Sequence, residues 1–273
     1  FTGSIAQLPI NLNTSRAAHT ASALDDAGHV MLAGGFTTVG GQAAALGSLE
    51  VICVADAPCA AQAGPGVIYT TNMAEPRAFH TATRVAVGQP GVDAVLLMGG
   101  EGDDAVRSSV ETFVLNPAGM EAGISQMVAG ARTRHTATYV DSQKFVHVVG
   151  GFTDLTHTAA QQQIDSYQVQ QRLFQNVQPF FALHARGGHD AVLMGGNAVL
   201  IFGGYADGAP LKSAEVVFEY FDEQSGQTFI DRGGVPAMHA PRGGGKGILL
   251  RNGSVLVAGG AAGAGQMNTM GEF

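Results

Sequence analysis

Hydrophobic and polar positions along this chain fall into short alternating blocks. Each block opens on Arg, two residues and His-Thr-Ala. It continues as a short apolar stretch, breaks at a turn, resumes as a second apolar stretch and ends on Gly-Gly. The phrase reads Arg16-Ala-Ala-His19-Thr-Ala with Gly34-Gly35, then Arg77-Ala-Phe-His80-Thr-Ala with Gly99-Gly100, then Arg132-Thr-Arg-His135-Thr-Ala with Gly150-Gly151. It fades to Arg186-Gly-Gly-His189-Asp-Ala with Gly203-Gly204, and to Arg242-Gly-Gly-Gly245-Lys-Gly with Gly259-Gly260. The apolar stretches are strand-sized, rich in Val, Leu, Phe and Tyr, and bounded by turn formers. In the third copy they predict strands at His135 to Val140, Phe145 to Val149, Ile164 to Val169 and Leu173 to Val177. In the fourth they predict His189 to Met194, Ala198 to Phe202, Ala214 to Tyr220 and Thr228 to Asp231. Asp25-Asp26, Gly195-Gly196-Asn197 and Asn252-Gly253 carry the turn chemistry between first and second strands. No segment has helical periodicity.

A strand-rich unit returning about every 50 residues reads as one blade of a β-propeller. The expected fold is all-β, one domain over residues 1–273, with five four-stranded blades at roughly 16–72, 77–128, 132–177, 186–231 and 242–273 plus 1–10. The fifth copy is short, so the N-terminal segment Ser4 to Pro9 is expected to close its blade as the outer strand. The spacing from the third-strand acid to the next Arg complicates closure. It is 27 residues for Glu50 to Arg77 and Glu215 to Arg242, 21 for Glu111 to Arg132 and Asp165 to Arg186, and 17 from Glu272 round to Arg16. A cramped closing blade, or a longer parent with six or seven blades, follows. The Gly-Gly doublet is expected to serve the backbone, through positive φ and close approach.

Charge narrows the partners. Charged residues are 13% of the chain, and the formal net charge is −8 with only three lysines, Lys144, Lys212 and Lys246. Phosphate binding needs clustered basic residues, so nucleic acid is not expected. No apolar run approaches the length of a membrane span. Cys53 and Cys59 are the two cysteines. They read as a disulfide in an exported protein, or as two free thiols, and the spacing is poor for zinc. A start at Phe1 suggests a processed or excerpted segment. The expected location is extracellular, at the cell surface, or periplasmic.

The pattern resembles the kelch repeat in its bacterial form. The elements are His80-Thr81-Ala82-Thr83, Val95-Leu96-Leu97-Met98-Gly99-Gly100 and Ser109-Val110-Glu111. The resemblance covers essentially the whole chain and implies a galactose oxidase-like propeller. Similar propellers serve as protein-binding modules, glycan binders and copper enzymes. Kelch blades usually place a Trp in the outer strand. This chain has none, and Phe174, Phe229 or Phe1 are candidates to stand in.

The recurrent residues are read first as structure. His19, His80, His135 and His189 are expected to hydrogen-bond between blades. Arg16, Arg77, Arg132, Arg186 and Arg242 are expected to pair with the acids Glu50, Glu111, Asp165, Glu215 and Glu272, because a guanidinium can grip a carboxylate in two places. Met73, Met127, Met194 and Met238 suit gap-filling. Candidate function lies in loops on one face. Glu75, His184 and His239 precede their arginines by two or three residues and could converge at a channel mouth. Glu101, Asp103, Asp104, Asp154, His157, Tyr205 and Asp207 follow the Gly-Gly doublets. Asp103-Asp104 and Asp154 are candidate calcium ligands, and no other cofactor is expected. Phe36, Phe152 and Tyr205 could stack on sugars or pack the loops.

The expected function is a non-catalytic binding or structural module. It would engage protein or glycan through this loop face, as one part of a larger cell-surface assembly in one version. The alternative is an enzyme acting on a sugar at the channel mouth, with Glu75, His184 and His239 as the residues to test. A copper oxidase of the galactose oxidase type is rejected, because the cysteines sit on outer strands.

Overall fold

The computed structural model describes residues 10–54, 57–59, 64–87, 93–174, 180–222, 224, 227–263, 266–267 and 271–272. Among these the chain is all-β. One 3-10 turn at Gly195–Asn197 is the sole helical element, and no helix is long and apolar enough to cross a membrane. The strands form several small antiparallel sheets in chain order. Sheet one contains Thr20–Ala23, His29–Ala33, Ser48–Cys53 and Gly66–Asn72, each strand paired to the next. The main strands of sheet two are Thr81–Ala86, Asp93–Met98, Ser109–Leu115 and Ala118–Met120. Sheet three contains Thr136–Val140, Phe145–Val149, Gln163–Gln168 and Leu173–Phe174, and sheet four Asp190–Leu193, Ala198–Phe202, Ala214–Asp222 and Gln227–Val235. The described part of sheet five is Lys246–Leu249, Val255–Ala258 and Gly271–Glu272.

The second strands match the sequence reading residue for residue in sheets three and four; the outer strands depart from it. Gln227–Val235 runs well past the expected Thr228 to Asp231. In sheet three the outer position is shared. Leu173–Phe174 and then Phe180–Phe181 both pair with Gln163–Gln168, and residues 175–177 of the expected strand lie outside the described residues. Sheet two does the same with Ala118–Met120 and Ser125–Gln126. Outer strands have a neighbour on one side only, so their pattern constrains them least. Ser4 to Pro9 and the side chains of Phe1, Phe229 and Glu272 lie outside the described residues.

The sheets pack face to face in sequence order, which explains the continuous apolar runs. Phe145–Val149 is buried at every position because both faces are covered. Val146 and Val148 pack toward sheet two with Leu96 and Met98, while Val149 packs toward sheet four with Val199 and Ile201. Met31, Leu49 and Val51 of sheet one pack with Leu97 and Phe113 of sheet two, and Leu200 and Phe202 of sheet four with Val255 and Val257 of sheet five. Met73, Met127 and Met238 fill these layers. First strands carry small residues, Thr-Ala-Ser-Ala and Thr-Ala-Thr, where each runs beside the first strand of the next sheet. Gly99 shows what the doublet does. Its φ is +60°, and a Cβ there would lie 2.5 Å from the carbonyl oxygen of Arg132 in the next unit. The second glycine, Gly100, donates its N–H to that same carbonyl at 2.9 Å. Cys53 and Cys59 form a disulfide.

Candidate binding site

The repeated charges are consumed within their own sheets. The Arg77 guanidinium is fully buried and donates to the carbonyls of Gly99 (2.9 Å) and Ser109 (3.0 Å), the Ser109 hydroxyl (2.7 Å) and the Glu111 carboxylate (2.6 Å). Arg16 makes the equivalent set with Gly34, Ser48 and Glu50 (2.5 Å), and Arg186 with Gly203, Ser213 and Glu215 (2.8 Å). Arg132 reaches Gly150, Gln163 and Asp165 (3.0 Å). Arg242 donates to Gly259 at 2.7 Å. The acids also take backbone N–H groups from the segment that crosses over the sheet. Glu111 accepts from Ala74 and Glu75, Glu50 from Asn13 and Thr14, Asp165 from Ala129, and Glu215 from Leu183. Burial lowers the Arg132 guanidinium and raises the Asp165 carboxyl, each toward neutrality, while their mutual attraction opposes both shifts.

The recurrent histidines tie one sheet to the next. Nε2 of His80 lies 2.9 Å from the Thr20 hydroxyl, His135 is 3.2 Å from Thr81, and His189 is 2.9 Å from Thr136. Burial pushes His80 down to about 3 and holds His135 and His189 well below the usual imidazole range, so these rings are neutral. His19 is only half-buried, with a smaller downward shift caused first by burial. The fourth junction is built differently. Asp190 stands at the Thr position and Gly245 at the His position. The Asp190 carboxylate takes the Lys246 ammonium (3.1 Å) and the Gly247 N–H (2.8 Å). Asp190 and Lys246, each at a Thr position, thus make a substitute contact where Gly245 leaves no His ring.

The first strands of all five sheets line a single cavity of about 570 Å³. Its rim is made by the second residue after each Arg: Ala18, Phe79, Arg134, Gly188 and Gly244. All five have positive φ, between 49° and 72°. A chain of backbone hydrogen bonds runs along this rim from unit to unit. Phe79 N–H donates to Ala18, Arg134 to Phe79, Gly188 to Arg134 and Gly244 to Gly188, at 2.8–3.1 Å. Repetition of the backbone leaves the side chains free to differ. Units two and three carry Phe79 and Arg134, while units four and five are bare.

The bare side opens a second cavity of about 400 Å³, lined by Arg134, Phe152, His157, Gly188, Tyr205, Gly208 and Gly244. The Arg134 guanidinium lies 3.8 Å from the centroid of Phe79, whose ring meets Phe36 edge-on at 6.0 Å. His157 Nε2 is 2.8 Å from the Glu101 carboxylate, and its ring lies against Phe152 at 5.5 Å. The Phe152 and Tyr205 rings occupy the space a side chain would need at Gly187 and Gly243. Burial lowers the Arg134 guanidinium, opposed by Glu101 and Tyr205.

Of the loop residues expected at the mouth, Tyr205 lines this cavity, and Asp207 is exposed on the short hairpin Tyr205–Ala206/Ala209–Pro210 beside it. Glu75, His184 and His239 line neither cavity, so the structure does not bring them together there. The crossing segment reaches the rim only after its Arg, and residues two or three before it still lie over the sheet. Glu75 accepts from the Ser109 hydroxyl and lies 3.6 Å from Arg77. His184 is exposed, and His239 borders a separate apolar groove with Met194 and Met238. Asp103 accepts the Ala45 N–H at 2.6 Å, Asp104 pairs with Arg107 at 2.7 Å, and Asp154 ties its own loop through Thr156, Thr158 and Ala159. Those loop hydrogen bonds hold the Asp154 carboxyl well below the usual carboxylate range. Among the described residues, no three His, Cys, Asp or Glu side chains are placed to share a metal ion.

The sequence reading missed Phe79 and Arg134. The signal was the two residues between Arg and His, which read as spacer because they vary between copies. A scan against protein-family models finds no match for this chain, and a comparison with curated proteins finds none either.

Proposed function

We propose that the chain is a kelch-type β-propeller whose five sheets are blades around the central cavity. In this reading it is a non-catalytic, exported binding module that takes a glycan at the rim. The order of the sheets, the cavity shared by all five first strands and the repeated Arg–acid pairs support the fold. The Cys53–Cys59 disulfide supports an oxidising compartment. One observation carries the function: the repeated buried charges are spent on folding contacts, whereas Arg134 stands at an open, aromatic-walled cavity with no ion pair among the described residues. Concave sites with aromatic walls and a few convergent polar groups suit small ligands. A glycan array probed with the chain is expected to give hits that Tyr205→Ala abolishes. An array without hits, or hits indifferent to Tyr205→Ala, overturns the reading. The enzyme alternative has one supporting observation, the His157–Glu101 pair at 2.8 Å, a carboxylate-oriented imidazole suited to proton transfer. Turnover of a bound glycan, lost in His157→Gln, would replace the binding reading with that one.

A further inference from the structure

We infer that Arg134 is a receptor for a carboxylate, and that the rim ligand is a sugar carrying one, of the uronic acid class. The inference rests on the glycan-binding reading above and names its ligand chemistry. Among the described residues Arg134 makes no ion pair, although it is half-withdrawn from water and lines the cavity. A cation partly removed from water without a counter-charge favours an anionic ligand beside it. Glu101, the acid whose charge acts on Arg134, is already committed to His157 at 2.8 Å. Phe79 covers one face of the guanidinium, which holds its plane and favours the cation through the ring quadrupole. The group is left to engage a ligand through its N–H edge, and a planar fork of N–H donors matches a carboxylate in two places.

The rest of the cavity suits a sugar ring. Tyr205 is half-buried and lines the cavity beside Gly188. Gly188 and Gly244 leave their part of the rim without side chains, and the His157 ring, held by Glu101, adds a polar group to the lining. A cavity of about 400 Å³ that adjoins a second of about 570 Å³ has room for a short acidic saccharide. The chain's formal charge of −8 makes this local cation the selecting element, because the overall field repels anions.

The test is NMR titration of the whole chain with four probes: tri-D-galacturonate, its methyl ester, neutral galactotriose and sodium acetate. The acid is expected to bind at least tenfold more tightly than the ester or the neutral sugar, and acetate far more weakly. Arg134→Gln should lose about tenfold or more for the acid alone, with its melting temperature retained, and Arg134→Lys should recover part of the loss. Equal binding of acid and ester, or acid binding unchanged in Arg134→Gln, overturns the carboxylate inference and leaves the glycan-binding reading standing. Acetate binding as tightly as the trisaccharide overturns the sugar. Failure of every saccharide, including those on the array, sinks both readings together.

Discussion

Two arginines two residues apart do opposite things in this molecule. Arg132 is fully buried beneath the crossing segment, where Gly150, Gln163 and Asp165 take its two Nη groups. Arg134 stands one step further toward the rim with its guanidinium on Phe79 and no ion pair among the described residues. The backbone explains the split. The residue at 132 faces its own sheet, whereas the residue at 134 sits at a positive-φ position whose N–H and carbonyl link neighbouring units. The first position therefore demands the same side chain in every copy, and the second accepts Ala, Phe, Arg or Gly. A repeat can be uniform where its side chains hold the sheet and varied where they edge the cavity.

The contrast is broken most directly by removing each arginine in turn. Arg132→Gln strands the Asp165 carboxylate in the interior and should cost about 3–5 kcal/mol. Arg134→Gln should cost less than about 1 kcal/mol, since it strands no charge. Urea unfolding of both variants measures this, and equal losses would erase the distinction between them.

A second expectation concerns acid. In the unfolded chain an imidazole titrates near its ordinary value of 6.5, whereas His80 in the fold is held at about 3. Between these values the unfolded chain carries the extra proton, so acid favours unfolding. The contribution is complete above about pH 6.5 and is lost as pH falls toward 3. His80 alone gives a slope of up to about 1.4 kcal/mol per pH unit in that window. His135 and His189 act in the same direction. Stability measured from pH 7 to pH 4 should flatten measurably in His80→Gln, and an unchanged slope would show that His80 does not titrate on unfolding.

Smaller effects sharpen the comparison between junctions. Thr81→Ala removes the hydroxyl from His135 and should cost about 1 kcal/mol, with His135 left neutral and buried. Lys246→Met at the substitute junction should cost about 0–1 kcal/mol, because the Lys246 side chain is 79% exposed and water screens the pair. Double-mutant cycles for Thr81–His135 and Asp190–Lys246 would measure both couplings, and a larger value at the exposed pair would reverse the ranking.

The interior of this protein was legible because repetition made it so. Phe145 to Val149 and Ala198 to Phe202 appear in the structure at their expected bounds, since a strand covered on both faces is apolar except where a buried polar group such as His147 finds a partner in Ser166. The outer strands were less legible: half-covered segments such as Leu173–Phe174 and Gln227–Val235 follow tertiary opportunity, with little pattern to mark their ends. Tyr205 could be singled out because it follows a Gly-Gly, but Arg134 could not, because it looked like one of two spacers.

The residues taken alone determined an all-strand chain, its unit length, its positions of close backbone approach and which side chains would be spent on holding units together. These are local or strictly recurring properties, and recurrence reports them without coordinates. The tertiary structure alone decided which acid each arginine meets, that Asp190 and Lys246 replace a missing His–Thr contact, and that Arg134, lying on Phe79, shares a cavity with His157 and Tyr205. Those residues are separated along the chain, and only packing of successive sheets around a common cavity brings side chains from different units within a few ångströms of each other.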